Sequence, residues 1–349
     1  MKRPIPQYVD EMIDGAVSRL ENLRTPDTIS FAFITDTHSC IDYTERALYA
    51  ISKINEQHKI AFTCMGGDYL CNNSSTSREN AVAQHREFRD AVENLGQNPP
   101  TVIIKGNHDD NPFGEIKNIV PQNELYNLLF EHNAFLSGGD PTEAYGYYDM
   151  PELKLRAIYL NSSDRRYETD SDGTVIDVET GGYGNKQLNW FAHDALILPD
   201  NDWSVVIFAH IMPIATQIML DRPFGGEALW NILLSFKNGG KYSAYEDRNG
   251  ESYEVSCDFS KNGKGNVIAF VTGHEHVDRT CMADGIRIIT VLSAASDNFC
   301  TGVSGNGRVQ YKTRGSGEES AFSVFVIDRK THVISQIRCG AGDDYSVSF

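Results

Sequence analysis

Residues of the kinds that bind metals or move protons recur at the ends of apolar runs in this chain. They are Asp36 and His38, then Asp68, then Asn107, His108 and Asp109, then His210, and last His274 and His276. The densest group closes the stretch TVIIKGNHDD, residues 101–110. Its first four residues have the length and β-branched content of a buried strand. Gly106 lets the chain turn at the strand end without a Cβ clash. An amide, an imidazole and two carboxylates follow at once. Such a cluster is costly to leave unpaired, so it calls for a metal, a substrate or a hydrogen-bond network. In isolation it reads equally well as a solvated turn, where Gly, Asn and Asp are ordinary residues, and Asp110 is read as turn.

The elements that must position these residues follow from the apolar pattern. Residues 8–24 place Val9, Met12, Ile13, Ala16, Val17, Leu20 and Leu23 at helical spacing, and the helix is expected to end near Thr25-Pro26. Strands are expected over 29–35, 60–65 and the opening of 101–110, with helices over 43–57 and 77–95 between them. That alternation is the pattern of βαβ units and a mostly parallel sheet. Further on, a helix is expected near 122–131, strands at 145–149 and 154–160, a helix at 185–197, and strands at 203–210 and 266–276. Three more strands are expected near 286–292, 321–328 and 331–338. The stretch 211–265 is rich in Pro and Gly and reads as irregular, with one helix near 226–236; it is a candidate lid or insertion. The organisation expected is an N-terminal helical arm, 1–27, and a single domain, 28–349.

Composition narrows the classes. Of 349 residues, 40% are hydrophobic and 23% charged, an ordinary globular profile. The formal charge of −17 repels phosphate backbones, so nucleic acid is a disfavoured partner. Small anionic substrates remain open to it, because bound cations reverse the sign locally. Seven scattered cysteines without a CxxC pair point to a reducing compartment. With no apolar leader and no membrane-length run, the expectation is a soluble cytoplasmic protein.

In open α/β sheets the carboxyl ends of strands line one crevice, so residues far apart in sequence converge there. The converging set holds two Asp, one Asn and His, all N/O donors without a thiolate. That chemistry suits Mn, Fe, Zn or Ni better than a soft thiolate or an all-oxygen calcium site. Asp68 is a single carboxylate between two groups of His, which suits a ligand bridging two ions. A D-x-H triplet alone arises by chance in roughly half of such chains, whereas GNHD arises in roughly one in several hundred. The remaining histidines, His58, His85, His132, His193 and His332, lie on expected helices or a late strand and are read as ordinary structural residues.

The ordered pieces Asp36-Thr37-His38, Gly67-Asp68, Gly106-Asn107-His108-Asp109, His210 and Gly273-His274-Glu275-His276 resemble the calcineurin-like metallophosphoesterase superfamily. The resemblance covers roughly residues 28–295. It implies an α/β fold, a four-layer αββα sandwich of two mixed sheets, with a dinuclear metal centre at one edge. It implies that Asp36, His38, Asp68 and His276 hold one divalent transition-metal ion, and that Asp68, Asn107, His210 and His274 hold the other. His108 would then face the leaving-group oxygen, and Asp109 would either orient His108 or cap the next turn. The activity implied is hydrolysis of a small phosphomonoester or phosphodiester by a metal-activated hydroxide. A non-catalytic scaffold on the same fold and a nuclease of the same superfamily are the alternatives.

Departures narrow the branch. Cys71 stands where purple acid phosphatases carry a tyrosine ligand. GDYLCNN and KGNHD lack the arginines of the protein Ser/Thr phosphatases, and the aspartate that orients the catalytic histidine in that branch is missing. With little chain after residue 340, the C-terminal domain of a 5′-nucleotidase is not expected. Specificity is expected in 162–184, 211–265 and 296–320, where Arg165, Arg166, Arg222, Lys312 and Arg314 are candidate phosphate contacts, although exposed basic residues are usually solvated surface.

Overall fold

The computed structural model describes residues 4–94, 99–220, 222–295 and 311–349. Strands β1 (Thr28–Ile34), β2 (Thr63–Met65) and β3 (Thr101–Ile103) alternate with helices α1 (Gln7–Glu21), α2 (Ile41–Gln57) and α3 (Arg78–Asn94). Next come α4 (Gln122–Leu128), β4 (Gly138–Asp140), β5 (Tyr145–Met150), β6 (Leu155–Tyr159), β7 (Glu168–Thr169), β8 (Val175–Ile176) and α5 (Asn185–Trp190). The remainder is β9 (Ser204–Phe208), α6 (Gly226–Asn238), β10 (Lys241–Arg248), β11 (Glu251–Asp258), β12 (Asn266–Thr272), β13 (Arg279–Ala283), β14 (Ile286–Thr290), β15 (Ala321–Asp328), β16 (Val333–Gly340) and β17 (Tyr345–Ser348).

Two mixed sheets carry the fold. The first has the order β17-β16-β15-β1-β2-β3, the second β13-β14-β12-β9-β6-β5-β4. Strands β1, β2 and β3 run parallel, and so do β6, β9, β12 and β14. Successive side chains on a strand point to opposite faces, and β1 is buried on both from Ile29 to Ile34, which explains its mostly apolar sequence. Phe31 and Phe33 face the second sheet, while Ala32 and Ile34 face the helices. In β9, Val206 and Phe208 turn inward and Val205 and Ile207 outward. Between the sheets Phe31 stacks on Phe62 and Phe325 and meets Phe208 edge-on. Helices α1 to α4 cover the outer face of the first sheet; α5, α6 and the β10–β11 hairpin cover that of the second. The order of layers is therefore αββα.

The N-terminal helix buries Val9, Ile13, Ala16 and Leu20 against α2 and β16. The stretch 211–265 is more regular than expected, because 241–258 forms the β10–β11 hairpin. Its turn residues Asn249 and Gly250 have φ of 55° and 79°. Two consecutive left-handed residues are the requirement of the type I′ turn, which Asn-Gly meets. Alternate residues Tyr253, Val255 and Cys257 then bury beside Leu188, Phe191 and Leu233. The short edge strands β4, β13 and β17 were also unforeseen. Each is paired on one side only and shows no continuous apolar run.

Replacing Phe31 with alanine removes the ring at the centre of the inter-sheet cluster. It should lower unfolding stability by about 3–5 kcal/mol, read by urea denaturation, while leaving the far-UV spectrum native.

Candidate metal centre

The carboxyl ends of β1, β2 and β3 in one sheet and of β9 and β12 in the other meet at one edge of the sandwich. Each contributes donors. One donor atom each from Asp36, His38, Asp68 and His276 lies within 4.8 Å of the others, and so do those from Asp68, His210 and His274. Asp68 belongs to both groups. Asn107 joins the second, its Oδ1 lying 3.0 Å from Nδ1 of His274. Asp36, Asp68, Asn107 and His210 are buried, whereas His38, His108, His274 and His276 are partly open to solvent. The cluster thus has a closed floor and an accessible rim.

Backbone strain accompanies this convergence. Asp36, His38, Asp68, His274 and His276 all have φ between 41° and 69°. Left-handed backbone at non-glycine residues is uncommon and costs free energy, and it concentrates at functional sites. Glycine serves a second need. Gly106 does not have left-handed φ; its role is close approach, since a Cβ there would lie 2.1 Å from Asp68 Oδ1. A Cβ on Gly273 would likewise lie 2.1 Å from Thr35 Oγ1 and 2.6 Å from Asp36 Oδ2.

The hydrogen bonds behind the donors fix which atoms face the cluster. His38 Nδ1 donates to the carbonyl of Leu70 at 3.0 Å, and His210 Nδ1 donates to that of Gly66 at 2.8 Å. A carbonyl can only accept, so in its neutral form each ring turns a bare Nε2 toward the cluster. Nε2 of His210 is fully buried and makes no hydrogen bond, although Asp68 Oδ2 lies 3.0 Å away. Nε2 of His38 and Nε2 of His276 face each other at 3.1 Å. An orphaned buried nitrogen and two imidazole nitrogens facing each other, set around two carboxylates, fit divalent cations.

The electrostatics agree. Burial opposes the charge on Asp36, but His276 and His210 outweigh it and hold the carboxyl down at about 2. Asp68 is likewise held well below the carboxylate range by His210 and His108, against the penalty of burial. Burial lowers His210, yet Asp68 and Asp36 overcome it and raise the ring to about 9. Burial and the neighbouring His210 lower His274 to about 4. These carboxylates demand positive charge between them.

His108 stands beside the donors without belonging to either group. Its backbone N–H donates to Asp68 Oδ1 at 2.9 Å, and its Nε2 lies 3.8 Å from Asp68 Oδ2. The ring packs on Phe113 at 4.3 Å between centroids. Nδ1 donates to Asn72 Oδ1 at 2.6 Å. The ring's partner is therefore Asn72 and not Asp109. Asp109 is fully buried, and its carboxylate accepts the backbone N–H groups of Gly106, Asp68 and Tyr69 at 2.7–3.1 Å. Burial and the charge of Asp68 push that carboxyl up to about 7.

Some neighbours were not singled out from the sequence. Glu179, on the loop 162–184, accepts from Asn107 Nδ2 at 3.2 Å, which turns the Asn107 oxygen toward His274. Asp110, read as turn, is buried and paired with Lys105 at 2.7 Å, and it also accepts from Tyr167. Asn72 and Glu179 carry no motif spacing; an amide four residues beyond a candidate metal aspartate was the only hint. Of the candidate phosphate contacts, Arg165 is committed to Asp177 and to the carbonyls of Asp177 and Gly181. Lys312 donates to the carbonyls of Ser293 and Ala295. Arg166, Arg222 and Arg314 are exposed. Residues 296–310 of the third candidate specificity segment lie outside the described residues.

The family model for calcineurin-like phosphoesterases matches residues 29–278, and the chain belongs to that family. No curated protein matches the sequence significantly. Among solved structures, a dimetal phosphatase from Danio rerio superposes with a TM-score of 0.57 at 15% identity, covering 92% of this chain and 99% of that one. A putative 5′-nucleotidase from Staphylococcus aureus gives 0.43 at 12% identity over 90% of this chain and 54% of its own. The phosphopantetheinyl hydrolase of Mycobacterium tuberculosis gives 0.36 at 13% identity, covering 77% and 91%. At 15% identity the likeness to the Danio rerio phosphatase concerns the fold alone. Among the described residues no helix is long and apolar enough to cross a membrane.

Lys105→Met leaves Asp110 buried without its cation. Stability should fall by about 3–5 kcal/mol, and pairing the change with Asp110→Leu should recover most of it in the same denaturant titration.

Proposed function

We propose that this chain hydrolyses a small phosphomonoester or phosphodiester at a dinuclear centre. The observation that carries the reading is the pair of donor groups sharing Asp68, with the orphaned His210 Nε2 between two carboxylates. Asp36, His38, Asp68 and His276 would hold one divalent ion; Asp68, Asn107, His210 and His274 would hold the second. Manganese, iron, zinc and nickel all suit these N/O donors. Such a pair neutralises phosphoryl oxygens and acidifies water between the ions.

The chain's own residues supply the rest. Carbonyls of Leu70 and Gly66 keep His38 and His210 in the tautomer that presents Nε2. Glu179 orients the Asn107 amide. His108 is held near the cluster by its backbone bond to Asp68 and by Phe113, with its side chain 20% exposed. From there it can give a proton to the departing oxygen or offset its charge. The −17 charge disfavours a nucleic-acid substrate. A non-catalytic scaffold is the second reading, and the intact donor set argues against it.

Purified protein should contain about two transition-metal ions per chain. Chelation should abolish hydrolysis of mono- or bis-(p-nitrophenyl) phosphate, and metal should restore it; metal-free protein inert on both esters would favour the scaffold. His108→Ala should retain metal and lose roughly 10²–10⁴-fold in kcat. Full activity in that variant would remove His108 from the mechanism.

A further inference from the structure

We infer that Asn72 is the positioning residue for His108, through a chain of amides that dictates which ring nitrogen faces the leaving group. The inference rests on the phosphoesterase reading above. Its starting point is Asn111, which is fully buried and has a left-handed φ of 58°. Asn111 Nδ2 donates to the carbonyls of Thr76 and Asn118 at 3.0 and 3.1 Å. Both partners only accept, so the amide cannot be reversed, and Asn111 Oδ1 must face Asn72.

The second amide follows from the first. Asn72 Nδ2 donates to Asn111 Oδ1 at 2.9 Å and to the carbonyl of His108 at 3.0 Å. With its nitrogen thus committed, Asn72 turns its Oδ1 to the His108 ring at 2.6 Å. An amide oxygen only accepts, so His108 carries a proton on Nδ1. Asn72 grips both the main chain and the side chain of His108, and Phe113 closes one face of the ring. Nε2 is left as the ring nitrogen that faces Asp68.

The chemistry that follows is specific. The neutral ring offers only a lone pair at Nε2, and the proton that can be delivered is a second one, held at Nε2 of the imidazolium. When water oxygen bonds to phosphorus, the bond from phosphorus to the leaving oxygen breaks, and its electron pair stays on that oxygen. The leaving oxygen takes the Nε2 proton, the proton shed by the water passes to solvent, and the ring returns to the Nδ1–H tautomer that Asn72 holds. A p-nitrophenolate departs readily without a proton, whereas an alkoxide does not. Asn72 therefore matters most for esters of alcohols.

The test compares Asn72→Ala, with Asn72→Ser as the second variant, against the native protein on alkyl and p-nitrophenyl esters of whichever class it hydrolyses. Metal content should stay unchanged. The kcat on the alkyl ester should fall about 10–100-fold with KM nearly constant, the p-nitrophenyl ester should lose less, and the loss should vanish in the His108→Ala background. Nitrogen-15 NMR of the zinc-loaded protein should show His108 with its proton fixed on Nδ1, and a mixture of tautomers in both variants. Equal losses on the two esters, a further loss in the His108→Ala background, or an unaltered tautomer would overturn the inference. If the native protein hydrolysed neither ester, the phosphoesterase reading would fall, and the tautomer measurement would still decide whether Asn72 positions the ring.

Discussion

The strand ends keep their spacing through a reciprocal clasp between two buried carboxylates. Asp109, on the loop after β3, accepts the main-chain N–H groups of Asp68 and Tyr69 on the loop after β2. Asp68 in return accepts the main-chain N–H of His108. Each loop thus fills the other's acceptors, and Gly106 leaves the room for it. Burying Asp109 beside Asp68 is costly, as its elevated proton affinity records. Three main-chain donors offset that cost. Without the clasp, the donors on the two loops would have no fixed separation.

The clasp also explains how so much backbone strain persists in one place. Left-handed φ at Asp36, His38, Asp68, His274 and His276 costs on the order of 1–3 kcal/mol each. Four of these residues are held through their main-chain N–H groups, Asp68 by the Asp109 carboxylate. The N–H of His38 is held by the carbonyl of Asp68, that of Asp36 by Gly67, and that of His274 by the Asp36 carboxylate. Strain and hydrogen bonding are therefore properties of the same few loops, and both sheets behind them are apolar and closely packed.

Much of this was legible in the sequence, and the reason is periodicity. Strands β1, β9 and β12 are buried on both faces and read as largely apolar runs followed closely by a metal-type residue. The donors could be named because their chemistry is rare and each is tied to a strand end. The β10–β11 hairpin was missed although Asn249-Gly250 announced it, because the scatter of Pro and Gly around it masked the alternation of Tyr253, Val255 and Cys257. Asn72, Glu179 and the true partners of Asp109 were not legible. Their roles depend on which loops meet in space, and an isolated Asn or Glu carries no trace of that. Asp110 was underrated for the same reason, since its partner Tyr167 comes from a loop that sequence order places far away.

That last contact has a bearing on how the protein can change. Tyr167 belongs to the segment 162–184 that borders the donors through Glu179, yet its hydroxyl also helps satisfy the buried Asp110 beside Lys105. The stretch expected from the sequence to choose the substrate is therefore bolted to the frame of the centre. Drift in that loop toward a new ligand is filtered by folding before it is tested by chemistry, and a segment grafted from a relative must bring its own phenol or an equal donor to position 167.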